Sequence, residues 1–150
     1  MKHKQPTVVM HNTAVICEDL AAMVAFFLEL GLEVEGKTRV EGRWMDQVIG
    51  IDDAQCDVAM LRTPDGHGRL ELSQFIRPKA IHPATTNAPV NTLGMGRVMF
   101  QVDDLDATLA RIKKQGATVL REVVQYEDVY RLCYVRGPEG ILVGLAEQLG

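Results

Sequence analysis

The chain has 150 residues, 47% apolar and 24% charged, enough to fill the core of one domain without cross-links. Sixteen Lys and Arg against twenty Asp and Glu give a net charge of −4, which argues against a nucleic-acid binder built on a basic patch. Cys17, Cys56 and Cys133 are scattered and form no C-x-x-C pair, and no run approaches a membrane-spanning length, so the expectation is a reduced cytoplasmic chain with no membrane partner.

Residues 12–31 read NTAVICEDLAAMVAFFLELG. An apolar run of strand length meets an acidic step at Glu18-Asp19. A helical stripe of Leu20, Val24, Phe27 and Leu28 follows, and Gly31 closes it. Strands are predicted next over 32–40, 55–62 and 68–75, the last two separated by a turn at Pro64-Asp65-Gly66. Trp44 lies between the first two of these strands, where it either forms a pocket wall or lid or simply packs. Residues 76–95 are polar, carry prolines and lack sustained periodicity, which marks a linker.

The pattern then returns. Residues 97–116, RVMFQVDDLDATLARIKKQG, repeat the first unit at a shift of 85, which aligns Asp19 with Asp104, Leu20 with Leu105 and Gly31 with Gly116. Strands are predicted over 117–124, 129–136 and 141–146, with Gly137-Pro138-Glu139-Gly140 turning the last pair. The expectation is a single domain over 1–150 with βαβββ modules at 7–75 and 96–147. Each sheet is covered by a helix on one face, and the opposite faces are free to share a small-molecule pocket.

Strand alternation assigns those faces. Asn12, Ala14 and Ile16 share the pocket side, as do Arg69, Glu71 and Ser73, then Arg97, Met99 and Gln101, and last Leu142, Gly144 and Ala146. Tyr130 and Tyr134 share one face of their strand and Arg131 takes the other; the pattern leaves open which lines the cavity. His11 falls on the wrong parity for the pocket. His67 and His82 lie in a turn and in the linker, where surface placement is the simpler reading. No G-x-G-x-x-G, G-x-x-x-x-G-K or H-E-x-x-H motif is present.

The segments TAVICEDLAAMVAFFLELGLEVEG, LRTPDGHGRLELSQF, RVMFQVDDLDATLARIKKQGATV and VYRLCYVRGPEGILVGLAEQL together resemble the vicinal oxygen chelate superfamily of glyoxalases, bleomycin resistance proteins and extradiol dioxygenases. The resemblance implies an α+β fold in which two tandem βαβββ modules form a cupped mixed β-sheet with helices outside. It also implies a divalent metal held by four side chains from the first and last strands of each module. The matching positions here are Asn12, Glu71, Arg97 and Gly144. Only Glu71 keeps a usual ligand type. A guanidinium offers no lone pair and repels a cation.

No cofactor is therefore expected, although a weakly held divalent ion at Glu71 stays open. Arg97 either grips a ligand oxyanion or forms an internal ion pair with Glu71. Gly144 either makes room for a ligand or permits close packing. The resemblance implies a lyase or isomerase that moves a proton on a small carbonyl or carboxylate compound, with Glu71 as the catalytic residue. The ligand would be contacted by Asn12, Trp44, Arg69, Ser73, Arg97, Met99, Gln101, Tyr130 and Gly144. The alternative is a non-catalytic protein that sequesters a small molecule. A homodimer is expected in either case.

Overall fold

The computed structural model describes residues 8–84, 87–94 and 96–150. The expected module start at residue 7, and residues 85, 86 and 95 of the expected linker, lie outside them. The first module comprises β1 (Thr13–Ile16), α1 (Leu20–Leu30), β2 (Glu33–Glu41), α2 (Arg43–Ile49), β3 (Gln55–Arg62) and β4 (Arg69–Arg77). The second comprises β5 (Val98–Gln101), α3 (Leu105–Lys113), β6 (Thr118–Val119), β7 (Val124–Tyr126), β8 (Tyr130–Arg136), a short 3-10 turn (Pro138–Gly140) and β9 (Leu142–Gln148). Two open, mixed sheets result, ordered β1-β4-β3-β2 and β5-β9-β8-β6, with β7 also on β8. In each, the first strand runs parallel to the last and occupies an edge.

The repeated acidic step acts as a repeated cap. Asp19 accepts the Ala22 N–H at 3.0 Å, and Asp104 accepts that of Ala107 at 3.0 Å. A side chain from each module's last strand satisfies the first helical amide: Leu20 donates to Gln74 at 3.0 Å and Leu105 to Glu147 at 2.9 Å. Gly31 closes α1 at φ 126°, a conformation that β-carbon crowding denies most residues. In the second module the helix ends sooner than the glycine implied. It stops at Lys113, and Gly116 follows after one more turn, at φ 87°.

Two elements differ from the sequence expectation. The strand predicted over 117–124 is split into β6 and β7, which pair with separate parts of β8. The region around Trp44 forms α2, between Gly42 (φ 118°) and the left-handed Gly50. Its Met45 packs with Ala54, Cys56 and Val58, and with Val40 and Phe75, on the face of the first sheet turned away from α1.

One core joins the modules. Phe26, Phe27, Leu61 and Leu72 of the first are fully buried in the same cluster as Leu105, Ile112, Val135, Val143 and Leu145 of the second. Phe27 reaches across to Phe100 at 6.2 Å between ring centroids, and α1 packs against α3. The modules also clasp at the surface. The Glu139 carboxylate, held at φ 58°, accepts the N–H groups of Glu18 at 2.7 Å and Asp19 at 3.3 Å, so the second module's turn caps the first module's helix.

All three cysteines are free and buried. Burial, then the carboxylates of Glu139 and Asp19, push the Cys17 thiol up to about 12. The folded chain thus keeps a proton that the unfolded chain releases near pH 9. This contribution to stability is complete below pH 9 and is lost as pH rises toward about 12. The native thiols are expected to resist a disulfide reagent at pH 8 and all to react in denaturant. Rapid labelling of Cys17 in the native state would contradict this placement.

Candidate inner-face site

The strand registers fix which side chains share the faces turned away from α1 and α3. On the first sheet Ala14 lies opposite Glu71, which in turn lies opposite Met60; Ile16, Ser73 and Val58 form the next row. On the second sheet Met99, Gly144 and Tyr134 form one row, and Leu142 stands opposite Arg136. The tyrosines, not Arg131, occupy this face. Arg131 turns to the helix side, where it pairs with Asp106 at 3.0 Å and with Glu147 at 3.9 Å.

Glu71 is half-buried in the middle of its sheet and makes no hydrogen bond or ion pair among the described residues. Its charge is felt nearby: after burial, Glu71 is the largest influence raising the Cys56 thiol. The internal Arg97–Glu71 ion pair is not formed. Arg97 is exposed, meets no carboxylate among the described ion pairs, and lies with its guanidinium carbon 5.0 Å from the Tyr134 ring centroid. Ala14 links the two charges. It sits one strand spacing, about 4.8 Å, from Glu71 and lines the same 280 Å³ cavity as Arg97.

The other expected contacts are placed as follows. Ser73 is buried, at 8% exposure, opposite Val58 of the Met45 cluster. Arg69 is committed to an ion pair with Glu35 at 3.1 Å. Asn12 donates its amide N–H to Nδ1 of His11 at 2.9 Å. Both line a 200 Å³ seam cavity that also receives His67 and Met99. The space beside Gly144 belongs to Met99, since a β-carbon there would fall 3.0 Å from the Met99 Cγ. Tyr130 is half-buried at the start of β8, between Gln148 and Tyr126. Trp44 is 65% exposed, its indole against Gly42, and lines none of the described cavities.

The largest of the described cavities, 830 Å³, lies elsewhere, between the Thr63–Gly68 turn and the β5–α3 junction, where it takes Met99 and Gln101. Most of its charged groups already hold local structure. Asp65 bonds Thr63 and the His67 N–H, Asp104 caps α3, and Arg111 donates to the Glu29 carbonyl at 2.9 Å. It contains neither Glu71 nor Arg97.

These donors do not fit the divalent metal of the related fold. The four matching positions supply one carboxylate, one amide, one guanidinium and no side chain. Among the described residues no group of three or more His, Cys, Asp or Glu could hold a metal ion.

Residues 9–145 match the Glyoxalase/Bleomycin resistance protein/Dioxygenase superfamily. The chain belongs to that superfamily. A crystal structure of a glyoxalase family protein from Bacillus cereus is 48% identical, with all of both chains covered and a TM-score of 0.93. A superfamily domain from Frankia sp. is 14% identical over 95% of this chain and 99% of its own, with a TM-score of 0.65. A glyoxalase I variant from Zea mays is 16% identical over 94% of this chain and 48% of its own, with a TM-score of 0.63. The latter two show the shared fold alone. No curated protein matches the chain.

This superfamily member thus combines the expected fold with an altered set of donors. Sequence reasoning missed Tyr134 as the partner of Arg97; Tyr134 shares its row with Gly144 and Met99, one row along the same face from Arg97. It also missed the shared cavity of His11 and His67. No spacing links two histidines brought together by a turn and by the segment that leads into an edge strand.

Proposed function

We propose that the chain binds a small carbonyl or carboxylate compound on its inner faces and moves a proton on it, as a lyase or isomerase. One observation carries this reading: Glu71 and Arg97, opposite charges without a charged partner, flank Ala14 on faces left open by the core. Arg97 presents its donor fork to a ligand oxygen and stabilises negative charge as it develops. Glu71, a half-buried carboxylate free of hydrogen bonds, accepts the proton from the adjacent carbon.

The surroundings support an enclosed site made with a second copy. Ile16 is 54% exposed and Met99 42% exposed on these faces, and β1 and β5 are open edges. A homodimer would cover them, which sedimentation would detect. Three buried thiols suit a reducing cytoplasmic setting. No described helix is long and apolar enough to cross a membrane.

The test is α-proton exchange in deuterated water on a panel of small 2-oxo and 3-oxo acids, followed by proton NMR. Wild type is expected to accelerate exchange on at least one member, and Glu71→Gln to reduce that rate by about 10²-fold or more. Unchanged exchange in Glu71→Gln would remove the proton-transfer role. Binding without exchange would leave sequestration as the function.

A further inference from the structure

The 280 Å³ cavity that Arg97 shares with Ala14 has a second cation on its wall. Arg136 lines it too, among Val15, Val98, Ile141 and Leu142. Arg136 is half-buried, and backbone carbonyls hold its fork: it donates to Gly140 at 2.9 Å and to Ala88. Carbonyls fix a guanidinium in place but leave its charge uncompensated. No carboxylate lines the cavity, and neither arginine forms an ion pair among the described residues. Residues 1–7, 85, 86 and 95 include no acidic side chain. Two like charges on one small, otherwise apolar cavity repel each other, and an anion between them removes that repulsion.

We propose that Arg136 is a specificity-determining residue that, with Arg97, selects a doubly charged oxyanion group carried on an apolar body. This rests on the reading of Arg97 as the anion anchor. Arg97 is held by the Tyr134 ring and Arg136 by two carbonyls, so the two forks are set before a ligand arrives. The aliphatic walls match the rest of such a ligand and disfavour a bare inorganic ion.

Calorimetric titration at pH 8 with phenyl phosphate, benzoate and inorganic phosphate tests this. Phenyl phosphate is a dianion there and benzoate a monoanion. Wild type is expected to bind phenyl phosphate about tenfold or more tighter than either comparison ligand. Arg136→Gln keeps donors for the two carbonyls but removes the charge, and is expected to bring the phenyl phosphate to benzoate ratio near one. Arg136→Lys keeps the charge and is expected to retain a preference for the dianion.

A merely structural Arg136 would weaken both ligands together and leave the ratio unchanged, which would overturn the proposal. If benzoate and phenyl phosphate bind equally to wild type through Arg97, the proposal fails while the anchor reading stands. If no probe binds in an Arg97-dependent way, both fail.

Discussion

Phe26→Ala is expected to lower the unfolding free energy by about 3–5 kcal/mol, the range for removing a large buried ring. Phe26 has 0% exposure and packs edge-on against Phe27, with centroids 5.0 Å apart and planes at 81°. Its far edge meets the second module, since a β-carbon added to Gly137 would lie 2.9 Å from the Phe26 Cζ. The substitution thus opens a cavity where the two modules join. Domains of this kind have a total stability of about 5–15 kcal/mol, so the loss is a large share. Urea unfolding followed by circular dichroism checks it. A loss below about 1 kcal/mol would show that the modules are not held by a common core.

Arg97→Ala is expected to weaken carboxylate binding by about 10- to 100-fold while leaving the unfolding midpoint nearly unchanged. The magnitude follows from a charge-assisted hydrogen bond of about 1.5–3 kcal/mol. The intact fold follows from exposure: Arg97 meets the ring of Tyr134 but closes no buried network. Arg97→Lys keeps charge without the planar fork and is expected to fall between the two. The two readouts separate the roles. Equal binding by wild type and Arg97→Ala, measured by calorimetry, would remove the anchor. A large loss of stability would make Arg97 a structural residue.

Much of the fold was legible because it is written twice. The Asp caps and the apolar helix stripes recur at a shift of 85, and a strand closes each module, so each module corroborates the other. Features present in only one module were harder to read. Helix α2 has no counterpart in the second module, and its Trp44, Met45, Val48 and Ile49 between two glycines looked like a connection between strands. Strand β6 ends after two residues because the chain leaves β8 and rejoins it as β7, a departure that propensity alone does not mark.

At the site, alternation placed Glu71, Arg97, Met99 and Gly144 on the correct faces, since a period of two follows from backbone geometry. Partnerships were a different matter. Arg69 bonds Glu35, which stands at a β2 irregularity between Val34 and Gly36, and a bulge changes which residue points inward. Arg97 meets Tyr134 rather than Glu71 because Tyr134, across the intervening strand β9, stands on the same face in the neighbouring row, that of Gly144 and Met99. Parity selects a face, whereas only the register selects a neighbour.

The central claim is that a small organic anion binds on the inner faces beside Arg97 and Glu71. Nitrogen-proton correlation NMR during a benzoate titration tests it most directly. Saturable shifts are predicted for Ala14, Glu71, Arg97, Val98 and Tyr134, and they are predicted to vanish in Arg97→Ala. Saturable shifts confined to the Thr63–Gly68 turn and the Asp103–Asp104 junction would place the ligand in the larger groove and contradict the account.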